Sequence, residues 1–268
     1  MTEQLSDSNA SANTGAEHQK RNPNKPYAIS SFDAPEKVCL DLFCGLGGFS
    51  AAFADADEWT VVTVDIEDRF DPDIRADVLD LRPADLPDTV TDADVLVVLA
   101  SPPCTAFSKA ASGRHIDSDG RPVSEWGAES LALTHHTRGL IQGLDPEFYF
   151  IENPQGGMRN VLGDDPAAPV WLCQYGHPAA KPTDLWGRIP PSFESRTCHN
   201  GNDECHHEPA PRGSSGGVQG MGTSAERAEL PYGLSAEILE AVENPEPEQQ
   251  RLTEPLTGEP AARQEDDE

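Results

Sequence analysis

Three stretches of the chain carry side chains whose types and spacing suit covalent chemistry. Ser101-Pro102-Pro103-Cys104-Thr105-Ala106-Phe107-Ser108 follows the apolar run 94–100. The two prolines cannot continue a strand's ladder and they stiffen the backbone, so the next side chain is held at the strand's end. A thiol held over a cleft is a candidate nucleophile, whereas the ordinary fate of a free cysteine is burial as a small hydrophobe. Glu152-Asn153-Pro154 puts an acid at the end of a second apolar run, followed by a proline that stops it. That glutamate is a candidate acid beside Cys104, or a plain helix cap or ion-pair partner. The third stretch, Asp41-Leu42-Phe43-Cys44-Gly45-Leu46-Gly47-Gly48-Phe49-Ser50, is a glycine-rich turn between an apolar run and a helix start. Such a turn lets backbone amides approach a ligand. It lacks the third glycine of a dinucleotide fingerprint. Asp65, twenty residues after Gly45, stands where a carboxylate can accept both hydroxyls of a ribose. Glycine turn and acid together point to a nucleoside cofactor.

These groups need a scaffold that brings strand ends to one edge. Apolar runs at 38–43, 61–64, 95–100, 147–151 and 170–173 read as strands. Helical patterns fall at 49–53, 129–143 and 234–242. This alternation predicts an α/β fold, a doubly wound and mostly parallel sheet of Rossmann-like type, with ligands at the carboxyl ends of the strands. Residues 189–222 break the rhythm with prolines, glycines and little apolar content, and read as a small loop-rich insert. Residues 1–36 and 243–268 have the composition of disordered tails, the second acidic.

Composition narrows the setting. No run of apolar residues is long enough to span a membrane, and the first thirty residues hold no apolar signal core. Six scattered cysteines suit a reducing cytoplasm. The net charge is −28, of which −19 falls on residues 37–242, and only five residues are lysine. Such a body repels itself in dilute buffer. At molar salt, where the Debye length shrinks to about 3 Å, the repulsion largely vanishes. The expectation is a protein of a salt-rich cytoplasm, as in a halophile.

The three stretches, in this order and spacing, resemble signature motifs of the cytosine-C5 DNA methyltransferases. The resemblance covers residues 37–188 closely and 218–242 loosely. It implies an S-adenosylmethionine-binding catalytic domain over 37–188, a short target-recognition insert over 189–222, and the rest of the catalytic domain over 223–242. It implies that Asp41, Phe43, Gly45, Gly47, Asp65, Ile66, Asp77, Val78 and Pro102 hold S-adenosylmethionine. The implied reaction is attack of Cys104 on cytosine C6, with Glu152 bonded to the base edge and the methyl group delivered to C5. The base must leave the duplex for this. The resemblance further implies double-stranded DNA as partner, a monomeric cytoplasmic enzyme, and a restriction endonuclease as possible companion. RNA or a free nucleotide as substrate, or a silent nucleic-acid-binding protein on this fold, are the alternatives.

Tyr175-Gly176-His177-Pro178-Ala179-Ala180-Lys181-Pro182-Thr183 is similar to the family's next motif, with departures. Ala179 replaces a glutamine, while Lys181 and Thr183 replace two arginines, as in a compact subgroup with viral members. By position Lys181 and Thr183 are expected in the catalytic site, though a lysine lacks arginine's planar fork. Thr223–Arg227 is weakly similar to the ninth motif. In the insert, Cys198 and Cys205-His206, with Cys173 upstream, have the residue types of a zinc site. Arg188, Arg196 and Arg212 are candidate DNA contacts.

Overall fold

The computed structural model describes residues 36–162, 166–207, 209 and 228–245. Residues 1–35 of the proposed tail 1–36, the segment 212–217 with candidate Arg212, Thr223–Arg227 and residues 246–268 lie outside the described residues. Seven strands form one sheet: β1 (Lys37–Leu42), β2 (Trp59–Asp65), β3 (Ile74–Arg75), β4 (Val95–Ala100), β5 (Phe148–Pro154), β6 (Ala168–Trp171) and β7 (Pro182–Arg188). Their order is β3-β2-β1-β4-β5-β7-β6. The first five in space are parallel, and β7 runs antiparallel to both β5 and β6. The doubly wound, mostly parallel sheet expected from the sequence is therefore present. The strand order reverses direction between β1 and β4, which is where such sheets open a ligand crevice.

The inner strands are largely apolar because both faces are covered, with polar residues such as Asp41, Glu152 and Asn153 falling near their carboxyl ends. Val38, Leu40 and Leu42 of β1 pack on one side with Leu96 and Val98 of β4. Cys39 packs on the other with Val97 and Leu99. The first layer is closed by helix α3 (Glu125–Leu144) through Leu140 and Ile141. Ser124 caps this helix by accepting from the Gly127 amide at 3.0 Å. The second layer is closed by α5 (Tyr232–Glu243) through Leu234, Ile238 and Val242. Short helices α1 (Ala51–Ala54), α2 (Asp88–Thr91) and α4 (Met158–Leu162) lie between strands. Among the described residues no helix is long and apolar enough to cross a membrane.

Element boundaries shift by a few residues throughout, and two shifts bear on the fold. Glu243, placed at the start of the acidic tail, ends α5 instead. Its carboxylate accepts from Lys37 Nζ at 2.7 Å and Trp59 Nε1 at 2.6 Å, fastening the helix to β1 and β2. The run 170–173 is strand only as far as Trp171, and then tightens into a 3-10 turn, Leu172–Tyr175. Strand β7 was hidden in the sequence because Asp184 interrupts its apolar pattern. In the fold Asp184 is fully buried and held by two bonds from Arg159, at 2.6 and 2.5 Å.

Candidate active site

The cofactor side is built at the carboxyl end of β1. Phe43, Gly45 and Gly47 all have positive φ, at 65°, 51° and 78°, which curls the chain into a tight turn. Val64 O accepts from the Phe43 and Cys44 amides at 2.9 and 3.1 Å, pinning the turn to β2. One oxygen of Asp65 accepts from the Gly45 amide at 3.0 Å and the other from the Glu67 amide at 2.9 Å. The carboxylate is thus fixed at the edge, each oxygen retaining a lone pair. Ile66 beside it is 58% exposed, an apolar side chain left open at the strand end. Asp77 follows β3 and accepts from the Leu79 amide at 3.0 Å, with Val78 buried behind it. Asp41 lies beneath the turn. It is fully buried and accepts from Ser50 Oγ at 2.6 Å. Burial pushes its carboxyl up to about 7, opposed by the Ser50 bond and aided by the Asp65 charge. An adenosyl group fits this rim: curled amides, a rigid carboxylate, an open apolar face and a second acid. Asp41 supports the turn through Ser50.

The reactive side is built at the ends of β4 and β5. The Ser101 amide donates to Leu42 O at 3.1 Å and its hydroxyl to Phe43 O at 3.2 Å, tying the Cys104 loop to the cofactor turn. Asn153 is fully buried and donates to Pro102 O at 3.0 Å. Further on, the Gly157 amide donates to Phe107 O at 2.6 Å. A Cβ on Gly156 would stand 2.2 Å from that same oxygen, so only glycine lets the two loops meet. Cys104 is half-buried in this braced loop. Its neighbour in the cofactor turn, Cys44, is buried, and burial with the charges of Asp41, Asp65 and Asp73 pushes that thiol up to about 12.

Strand β7 adds what sequence order alone does not bring there. Its antiparallel pairing sets Thr183 opposite Pro154 and Leu185 opposite Glu152, so Thr183 and Glu152 share one face as diagonal neighbours. Glu152 is 5% exposed, and burial pushes its carboxyl up to about 7. The Lys181 charge pulls the other way, as does the nearby Thr183 hydroxyl, which stands short of a well-formed hydrogen bond. Glu152 Oε1 and Thr183 Oγ1 have no hydrogen-bond partner among the described residues. A buried polar group left in this way favours a polar partner. Lys181, also 5% exposed and with φ +34°, donates to Ala228 O at 3.3 Å. Burial lowers its pKa, while Glu152 and Cys104 raise it. Cys104 is held above the ordinary thiol range by burial and by Glu152, and Lys181 opposes them. One thiol, one carboxyl and one ammonium therefore act on each other at one sheet edge. Beside them a groove of about 630 Å³ opens between the Cys104 loop and α4, lined by Phe107, Lys109, Ile116, Gln155 and Arg159.

Comparison with known proteins bears on this arrangement. A family model for C-5 cytosine-specific DNA methylase matches residues 38–160. The probable DNA (cytosine-5)-methyltransferase of Frog virus 3 (isolate Goorha) is 32% identical over 177 residues, which span 62% of this chain and 76% of the viral protein. The chain belongs to the C-5 cytosine-specific DNA methylase family. Among solved structures, it is similar to a putative DNA modification methyltransferase encoded within an E. coli prophage. That likeness has 22% identity and a TM-score of 0.39, and covers 56% of this chain and 46% of that one. A short-chain dehydrogenase/reductase from Brucella ovis is 17% identical with a TM-score of 0.25, covering 41% of this chain and 54% of that one. The matched methylase segment holds the cofactor turn, Cys104 and Glu152, while Lys181 and Thr183 lie beyond it.

Several expectations change. The cysteine and histidine group gathers around His207 rather than His206. The atoms offered by Cys173, Cys198, Cys205 and His207 lie within 4.8 Å of one another. His206 is exposed and its Nε2 meets His177 O at 3.0 Å. Of two adjacent histidines on an irregular loop, spacing cannot say which faces in. Arg188 sits at the opposite edge of the sheet from Cys104, paired with Asp145 at 3.2 Å. Arg196 is engaged by Glu194 and Glu237. Both arginines therefore already hold acidic partners. Asn153, Ser101 and the Arg159–Asp184 pair were missed as supports. Only Asn153 had a signal, its place beside Glu152.

Proposed function

We propose that this methylase transfers a methyl group from S-adenosylmethionine to C5 of a cytosine in DNA. The observation that carries the reading is the meeting of Cys104, Glu152 and Lys181 at the sheet edge next to the cofactor turn. S-adenosylmethionine, when bound, supplies an electrophilic methyl group. Phe43, Gly45, Gly47, Asp65, Ile66, Asp77 and Val78 would hold it, with Pro102 at the wall between cofactor and thiol. The Cys104 thiolate adds to C6 of the flipped base, forming a C–S bond and leaving C5 electron-rich. Glu152, whose carboxyl stands near 7, shares a proton with the base edge at N3 and stabilises that adduct. Lys181 favours the thiolate before attack. C5 would take the methyl group, with S-adenosylhomocysteine as the leaving group; the C5 proton would then pass to water, and the electrons of that C–H bond would form the C5=C6 bond and expel Cys104 as thiolate. Lys181 and Thr183 stand where the family carries arginines, and would meet the base with one ammonium and one hydroxyl. We also propose that the acidic surface suits a salt-rich cytoplasm, with DNA affinity carried by the pocket more than by phosphate contacts.

Fluorine at C5 cannot leave as a cation, so a 5-fluorocytosine substrate tests the scheme directly. A denaturant-stable complex with 5-fluorocytosine duplex DNA is expected, dependent on S-adenosylmethionine. Cys104→Ser abolishes it, Glu152→Gln slows it, and Cys44→Ser leaves it largely intact. A complex lost in Cys44→Ser but kept in Cys104→Ser overturns the assignment. A complex with 5-fluorocytidine RNA and none with DNA moves the substrate to RNA.

A further inference from the structure

The insert after β7 has little with which to hold itself. Over 189–207 the buried side chains are Pro190, Phe193 and His207, and no regular element forms. A segment so poor in apolar burial cannot offset its ordering entropy by a core of its own. Small loop-rich units of this kind are held by disulfides or by a metal. The cysteines here are free.

We propose that Cys173, Cys198, Cys205 and His207 form a structural zinc site that fastens the insert to the catalytic body. The four ligand atoms lie within 4.8 Å of one another. Around a tetrahedral zinc with Zn–S bonds of about 2.3 Å, sulfurs stand roughly 3.8 Å apart, so only small adjustments are needed. Cys198 Sγ and His207 Nδ1 are 4.0 Å apart, and His207 is 3% exposed with Nε2 unpartnered among the described residues. Three thiolates and one imidazole fill all four positions, the mark of a structural rather than a catalytic zinc. That donor set favours zinc over harder ions. Two side-chain amides already stand around the sulfurs: Gln174 Nε2 donates to Cys205 Sγ at 3.4 Å, and Asn202 Nδ2 to Cys198 Sγ at 3.4 Å. Such N–H···S contacts are what orients and stabilises bound thiolates. On binding, the three thiols release their protons to solvent and form three Zn–S bonds, with no change of oxidation state.

The site has consequences for the cleft. Cys173 belongs to the 3-10 turn after β6, and the other three ligands belong to the insert. The Leu172 amide donates to Lys181 O at 3.1 Å, so the metal sits one backbone bond from the segment carrying Lys181. His206, next to a ligand, reaches His177 O from the other side. Zinc would thus brace the loop that delivers Lys181 and Thr183.

The test is metal content of the full chain, read without any methylation assay, so its outcome is independent of the methyltransferase reading. Reduced, chelator-treated protein titrated with zinc against a competing chromophoric chelator should take up one equivalent. Cobalt(II) in its place should give the intense absorption of tetrahedral thiolate coordination. Cys198→Ser and His207→Ala should each lower zinc affinity at least tenfold, while His206→Ala and Cys39→Ser leave it unchanged. His207→Cys should retain metal and shift the cobalt spectrum, which guards against loss of fold in the other variants. No stoichiometric uptake by wild-type protein, an octahedral cobalt spectrum, or loss of metal in His206→Ala with retention in His207→Ala would each overturn the proposal.

Discussion

Cys104, Glu152 and Lys181 influence one another electrostatically, and the balance is measurable on the thiol itself. Burial holds the Cys104 thiol above its ordinary range, the Glu152 charge adds to this, and Lys181 subtracts from it. Glu152 is near 7, so it carries its charge mainly above that pH. Replacing it with glutamine removes a negative neighbour and must lower the thiol's pKa. Replacing Lys181 with methionine removes the cation and must raise it. The pH dependence of iodoacetamide labelling at Cys104, followed by mass spectrometry, is expected to move to lower pH in Glu152→Gln. In Lys181→Met it is expected to move to higher pH. Unmoved profiles in both variants would mean that the three groups do not sense one another. With the proposed mechanism the same balance predicts a bell-shaped rate: thiolate is gained as pH rises, while the proton that Glu152 would lend to the base is lost above about 7.

At the scale of elements, the cofactor turn depends on how α5 docks. The approach is closest at Gly48, where a Cβ would stand 2.3 Å from Leu230 O, a backbone atom that cannot swing aside. A second tie is the Ala52 amide donating to Ser235 Oγ at 3.0 Å. Gly48→Ala must therefore push the segment before α5 away from the turn, and overpacking of this kind costs ~1–3 kcal/mol. A melting temperature several degrees below wild type and weaker S-adenosylmethionine binding are expected, by differential scanning calorimetry and titration calorimetry. The control is Gly139 on the exposed side of α3, where an added Cβ meets nothing within 4 Å. Gly139→Ala should stabilise by ~0.5–1 kcal/mol, the helix propensity difference, with cofactor affinity unchanged. Equal effects at both sites would refute the docking argument.

The whole molecule carries a net charge of −28, and among the described residues most of its cations are paired with carboxylates. Lys37 serves Glu243, Arg159 serves buried Asp184, and Arg196 serves Glu194 and Glu237. Self-repulsion of the remaining carboxylates is therefore unrelieved in dilute buffer and screened at high ionic strength. The midpoint of thermal unfolding is expected to rise from low salt to molar KCl, and to rise less with an equal concentration of neutral osmolyte. DNA binding should lose affinity with salt more gradually than in enzymes that rely on many phosphate contacts. A protein equally stable at low and at molar KCl would remove the case for a saline cell interior.

The sheet type, the glycine turn and the strand ends that carry Cys104, Glu152 and Asp65 were legible in the sequence because each is local. An apolar run, the prolines or glycines that end it, and the reactive residue beyond them lie within about ten positions, and a parallel α/β sheet sends every such end to one edge. Cys104, Glu152 and Asp65 could be found in that way. Contacts between distant segments were not legible. Strand β7 was invisible because the charge of Asp184 is tolerated only through Arg159, which the fold brings up from α4. The antiparallel return of β7 is what puts Thr183 on the face of Glu152 and Lys181 within reach of Cys104. His207 rather than His206 turns toward the thiols because the insert's path is set by its docking on the turn at Cys173. Periodicity specifies the inward face of a strand or helix. On an irregular loop there is no period, so only tertiary packing decides which of two neighbouring side chains faces in.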